Sequence, residues 1–365
     1  MNKLVERVQA AWNAFFFTGY SVASLGALRV AIGLGFLLFQ ITQLYPLVEL
    51  DAGREWLFLE RVWYFQLLGF ERLYPVVCWV LLGALLLSTV SMTVGWWTRS
   101  SIAVVLLTSV YLTGARDSVV GDTHHRLLIW AWVLFFLLLS DSGRAYSIDE
   151  RRRMPAVDEL PIPEWRASWP IRAMQLYTAS FYLWSVIAKL RVSGLGWIAG
   201  GGKLQETLLR RSAMWGLDEH GQALGNEVAF FLAHQPHLLE VMGGSVLLME
   251  ACFPLVLFVK SQRVRVIFLS TVAVFHVANF VLLYVGFILM PLVFVIFFDM
   301  DPIAQRVRAW AARRRGASVT NLGAIDMELD QRSVRCEPTQ PGSGPASSTS
   351  PSCPPSVGSA MTGSQ

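Results

Sequence analysis

A lysine closes one of the most apolar stretches of this chain. In YLWSVIAKLRVSGLGW, residues 182–197, Lys189 follows a run of apolar and hydroxyl side chains. A charge in hydrocarbon costs about 3 kcal/mol or more. Two readings are open. Lys189 can lay its methylenes along apolar surface and hold its ammonium among headgroups, or it can be an amine stripped of water, neutral, and able to act as a base. Asp122, Thr123, His124, His125 and Arg126 stand together before another apolar run. Adjacent histidines there suit an interfacial loop or a proton carrier. His276 and Asn279 lie in a third run at the i, i+3 spacing that shares a helix face. A histidine in such a run needs an internal partner, so a bond between helices and proton transfer are both open. Glu250, in LLMEACFPL, has no route to water and must be paired or protonated. Arg29, a short way into the first run, can reach back to the inner headgroups.

The elements that carry these residues read as membrane spans. The chain has 365 residues, is 54% hydrophobic and 15% charged, and has a mean hydropathy of +0.47. Soluble domains are about 25% charged. A span takes about 20 mostly apolar residues, and eight segments come near that: 25–47, 74–96, 101–115, 127–139, 171–190, 241–259, 266–285 and 287–298. The expected fold is therefore all-α: a polytopic integral membrane bundle of about eight transmembrane helices over residues 1–302. Residues 303–365 read as a basic, then Ser/Pro/Gly-rich, disordered tail. Residues 1–20 read as an amphipathic interfacial helix with Val5, Val8, Trp12 and Phe15 near one face. Residues 56–70, with Glu60 and Arg61 between aromatics, read as a second interfacial helix. Pro254 is expected to kink the sixth span.

Basic residues favour one set of loops. Lys3, Arg7, Arg99, Arg144, the run Arg151–Arg153, Lys260, Arg263 and the Arg306–Arg315 segment fall on one side if the N-terminus is inside. The positive-inside rule then places both termini in the cytoplasm. With that orientation Lys189, the His124–His125 pair and His276 all lie toward the outer side.

Several chemistries are excluded. There is no GxxxxGK[ST], no HExxH and no G-x-S-x-G, and GWIAGGGK at 196–203 lacks the strand context of a dinucleotide site. Cys78, Cys252, Cys336 and Cys353 show no CxxC or Cys/His spacing, so neither a metal nor a disulfide framework is expected. The formal charge of +4 calls for no nucleic-acid partner. The first twenty residues lack a signal-peptide pattern.

The segment WPIRAMQLYTASFYLWSVIAKLRVSGLGWIAGGGKL, with ALRVAIGLGFLL, GDTHHRLLIWAWVLFFLLLSDSGRAYSID and the histidine of the seventh span, resembles the vitamin K-dependent γ-carboxylase family, the horizontally transferred transmembrane (HTTM) domain. The residues that carry the resemblance are Arg172, Gln175, Tyr182, Lys189, Leu190, Trp197 and Gly200. It implies that Lys189 is the base that deprotonates a reduced vitamin K or menaquinol-type naphthoquinone, with O2 and CO2 as co-substrates. The outcome would be carboxylation of a glutamyl group on a secreted peptide. It places His125, or His124 in the alternative register, and His276 beside that base as catalytic residues. His124, Asn279, Trp197 and Gln175 would hold the quinol. The chain departs from the animal enzyme in having Ala188 before Lys189 and in lacking a large lumenal region. The alternative on the same scaffold is a non-enzymatic membrane factor for maturation or export of a peptide. The implied setting is a bacterial inner (plasma) membrane, with lipid and quinol as partners.

Overall fold

The computed structural model describes residues 2–43, 56–57, 60–120, 126–153, 162–213, 226–283 and 287–314. The chain divides into two units, residues 1–307 and 308–365, and apart from the end of α13 the features below belong to the first. His124 and His125 lie outside the described residues, as does most of the tail.

The described chain is helical. Its elements are α1 (Asn2–Phe17), α2 (Val22–Gln43), α3 (Trp63–Leu68), α4 (Pro75–Val94), α5 (Thr98–Val120), α6 (Arg126–Leu139), α7 (Ile148–Arg152), α8 (Trp165–Ser193), α9 (Gly202–Ala213), α10 (Glu227–Ala233), α11 (Pro236–Cys252), α12 (Gln262–Leu283) and α13 (Asp301–Arg314). Short 3-10 segments run over Ser142–Arg144, Gly194–Trp197, Ala199–Gly201, Phe253–Leu257 and Met290–Phe297. The strands β1 (Trp56–Leu57) and β2 (Arg72–Leu73) pair antiparallel over two residues each. The interfacial helix expected over residues 56–70 is thus reduced to α3, because the segment before it pairs as strand instead.

Among the described residues, five stretches are long and apolar enough to cross a membrane: Val22–Ile41, Pro75–Val94, Thr98–Val119, Pro236–Leu257 and Gln262–Leu283. Apolar residues on them face outward: Leu87 is 73% exposed, Leu107 70% and Ile267 68%. A soluble surface does not carry that much contiguous apolar area, and the pattern is compatible with a multi-pass membrane protein.

The inward faces explain the packing. On α2, Leu25, Leu28, Ile32 and Phe36 are buried at helical spacing. The ring of Phe36 meets that of Trp130 on α6 at 5.3 Å. Gln40 donates to Thr89 of α4 across 3.1 Å within the apolar interior. The helix α8 packs against α1, α6 and α11, and Pro170 lies in its first turns. After Cys252 the helix continues in 3-10 form through Pro254. Proline has no N–H for the Glu250 carbonyl, and the Phe253 N–H bonds there instead.

Arg29 does not reach for headgroups. It is fully buried, and its guanidinium donates to the carbonyls of Ser142 (2.6 Å), Ala145 (3.4 Å) and Tyr146 (2.7 Å). A tertiary turn supplies the acceptors that the sequence left unassigned. Asp149 locks the same turn to α5, accepting from the N–H groups of Trp97 (2.9 Å) and Thr98 (2.7 Å) and from the Thr98 hydroxyl (2.7 Å). Those are the orphan donors at a helix start.

Candidate functional site

Several of the side chains singled out above meet at one place. On α8, Tyr182, Ser185 and Lys189 recur at three- and four-residue spacing and face the same way. Glu250 comes from α11, and His276 and Asn279 from α12. Trp197 comes from the 3-10 turn after α8. Together with Phe181, Phe275, Phe287 and Met290 they line a cavity of about 250 Å3. Most of its wall is apolar.

Lys189 is held rather than free. Its Nζ lies 2.7 Å and 2.6 Å from the two carboxylate oxygens of Glu250 and 2.6 Å from Ser185 Oγ. Ser185 in turn donates to Glu250 Oε1 at 3.3 Å. The Glu250 side chain is 5% exposed and that of Lys189 20%. The Trp197 ring stands 5.7 Å from the ammonium, a distance at which the ring face attracts a cation. The amine therefore lies beside the cavity, bonded to a carboxylate from another helix.

His276 is also positioned. Its Nε2 shares a hydrogen bond of 2.6 Å with the Tyr182 hydroxyl. The Tyr182 ring stacks on Phe253, with centroids 3.9 Å apart, so the hydroxyl is fixed by packing. Whichever of the two carries the shared proton, His276 Nδ1 has no partner among the described residues, and neither does Trp197 Nε1.

No family model, no curated protein and no solved structure matches this chain.

The site is thus built from its own geometry. It gathers Lys189, Glu250, His276, Asn279 and Trp197, five of the residues the sequence singled out. Gln175 is elsewhere: its amide donates to Tyr20 (2.9 Å) and to the carbonyl of Ile296 (2.6 Å), and its oxygen accepts from Arg172 (3.1 Å). Those bonds tie α8 to the start of α2 and to the Met290–Phe297 segment, which is a structural task. His124 and His125 are not among the described residues. Sequence reasoning missed the pairing of Lys189 with Glu250. The available signal was that both are isolated charges in apolar runs, and two such charges satisfy each other most simply. It also missed Ser185, although Ser185 and Lys189 stand at i, i+4.

The arrangement has three chemical capacities. It can hold a partly aromatic molecule between apolar walls. It can offer that molecule polar atoms on Lys189, Asn279, His276 and Trp197. It can move a proton between Lys189 and Glu250, since they touch.

Proposed function

We propose that this is a membrane protein on the vitamin K-dependent γ-carboxylase-like scaffold, whose cavity takes the ring of a reduced naphthoquinone and whose Lys189 receives a proton from it. The observation that carries the reading is the convergence of Lys189, Glu250, His276, Asn279 and Trp197 from separate segments on one mostly apolar cavity of about 250 Å3. Ligand sites of this kind combine apolar walls with a few placed polar groups.

The residues present suit such a ring. Phe181, Phe275, Phe287 and Met290 offer flat apolar contact. His276 Nδ1 and Trp197 Nε1 are buried polar atoms without partners among the described residues, and buried polar atoms ordinarily have them. A quinol, when bound, supplies through oxidation by O2 to its epoxide and water the basicity needed to take a γ-proton from a glutamyl group, which then adds CO2.

The protein's own part is proton handling. Lys189 can accept a proton only after passing on its own, and Glu250 is the acceptor in contact with it. Transfer within the pair turns two buried ions into two neutral groups, so no net charge moves through the low-dielectric interior. Ser185 bridges the two and keeps them aligned. Tyr182 fixes one imidazole nitrogen of His276, which leaves the other for the ligand. By the resemblance His125, or His124, would complete the site.

The same reading counts eight spans. It adds α6, α8 and the Met290–Phe297 segment to the five long apolar stretches, with both termini on the cytoplasmic side of a bacterial inner membrane. Residues 303–314, expected to be disordered, are helical within α13, and the rest of the tail lies outside the described residues. The clustering of arginine on one set of loops supports that orientation.

The test is turnover. Purified protein supplied with reduced menaquinone and oxygen is expected to form the epoxide. Lys189→Ala should abolish it, and Arg191→Ala, an exposed neighbour, should not. Absence of epoxide from well-folded protein, or full activity in Lys189→Ala, defeats the proposal. The second reading, a non-enzymatic factor for maturation or export of a secreted peptide, draws on the closed ion pair. An amine bonded to a carboxylate through both oxygens serves helix packing without any chemistry.

A further inference from the structure

A second and larger cavity, about 760 Å3, lies at the end of the bundle where the turn before α5 meets the Ser142–Arg144 turn and α7. Four arginines line it, Arg99, Arg144, Arg152 and Arg153, against two aspartates, Asp141 and Asp149, a net of two positive charges. Both acids are already engaged. Asp149 caps α5 through Trp97 and Thr98. Asp141 holds Arg99 at 3.1 Å and Arg166 at 3.4 Å. Arg152 and Arg153 are exposed and bonded to no carboxylate among the described residues. The donors at the start of α5 are taken by Asp149, so anion binding here falls to arginine side chains.

Arg99, Asp141 and Arg144 also form a wall of an adjoining cavity of about 430 Å3. There the remaining lining is different: Leu139, Trp165 and Trp169 stand beside Arg166. Leu139 and Trp165 are 50% and 47% exposed. Leu139 ends α6 and α5 begins beside it, so this is where apolar helices give way to polar turns. Tryptophan at such a boundary marks the interfacial zone of a bilayer.

Beyond the three residues the cavities share, one half of the pair is cationic and the other adds the apolar side chains of Leu139, Trp165 and Trp169 beside Arg166. We infer that this pair of cavities binds an anionic phospholipid, with its phosphate among Arg144, Arg152 and Arg153 and its glycerol and acyl portion along Leu139, Trp165 and Trp169. Arginine suits this because its planar fork donates to two phosphate oxygens at once. A soluble phosphate shares that chemistry but has no use for the apolar half, and the apolar half decides for a lipid. The inference is independent of the quinol site, which shares no lining residue with either cavity.

The experiment is native mass spectrometry of the full-length protein after reconstitution with phosphatidylcholine alone or mixed with phosphatidylglycerol. Wild-type protein is expected to retain phosphatidylglycerol preferentially. The double variant R152Q/R153Q should weaken that retention about 30-fold, and R151Q, an exposed neighbour outside the cavity, by no more than about fivefold. Trp165→Ala, which alters only the apolar half, should also weaken it and keeps the test open if the double variant misfolds. Inorganic phosphate at millimolar concentration should not displace the lipid. Equal retention by R152Q/R153Q and R151Q overturns the inference. So does displacement of the lipid by inorganic phosphate alone, which would mark a site for a small soluble anion.

Discussion

Lys189 and Glu250, 61 residues apart in sequence and on different helices, form an ion pair in which the ammonium reaches both carboxylate oxygens, at 2.7 Å and 2.6 Å. The pair joins α8 to α11 beside the cavity of about 250 Å3. Two charges that would each be costly alone become tolerable together.

Removing either partner should therefore be worse than removing both. Lys189→Met or Glu250→Gln leaves a buried group uncompensated, at about 3–5 kcal/mol. The double variant K189M/E250Q is expected to recover much of that loss. Thermal unfolding of the four proteins in detergent gives the cycle. A double variant as unstable as the sum of the singles would show that the two residues act separately.

Tyr182→Phe should preserve the stack on Phe253 and delete the bond to His276. The expected cost is about 1–3 kcal/mol, because His276 keeps its place with one more nitrogen unsatisfied. If the tyrosine orients the imidazole for a ligand, epoxide formation should fall more steeply than stability. Turnover and melting temperature measured on the same preparation separate the two effects. Equal turnover in wild type and variant would remove the orienting role.

Two adjacent glycines of α11 give a matched pair. A Cβ at Gly243 would overlap the carbonyl oxygen of Trp197, whereas one at Gly244 would meet nothing within 4 Å. Gly243→Ala should push the Gly194–Trp197 turn away and open the wall that Trp197 provides, at about 1–3 kcal/mol. Gly244→Ala should be silent. Indole fluorescence and quinone binding in the two variants test this, and indistinguishable results would mean that the turn shifts freely.

Asp149 carries a pH dependence. Partial burial raises its carboxyl, but the hydrogen bonds from Thr98 and Trp97 and the field of Arg152 outweigh that and hold it below the usual aspartate range. A depressed value in the folded state means the stabilisation is complete above the unfolded value, about 3.9, and is lost as pH falls through the folded value. Asp149→Asn should cost about 1 kcal/mol near neutrality. Its melting temperature should approach that of the wild type as the pH is lowered below the usual aspartate range. A gap that stays constant with pH would assign the cost to shape rather than charge.

Composition and periodicity determined a good deal. Long apolar runs dictate helices in a bilayer, because backbone groups there can only bond within their own segment. The helices at residues 22–43, 75–94 and 262–283 follow directly from that rule. Isolated charges within such runs also stand out by their cost, which is how Lys189, Glu250 and His276 were legible one at a time. Where the pattern was weak, the reading slipped. The third span proved longer than its apolar centre, and residues 56–57 paired as strand, because neither outcome is set by local periodicity.

Tertiary structure alone decided who meets whom. Periodicity gives the face of a helix but not its neighbour, so the Lys189–Glu250 pair, the Tyr182–His276 bond and the burial of Arg29 against the Ser142–Tyr146 turn were invisible beforehand. Gln175 shows the converse: its place in a run with Lys189 suggested the same site, yet two polar partners from distant segments, Tyr20 and the Ile296 carbonyl, draw its amide elsewhere. Burial makes each polar group in an apolar interior find a partner, and only the packing of helices selects which.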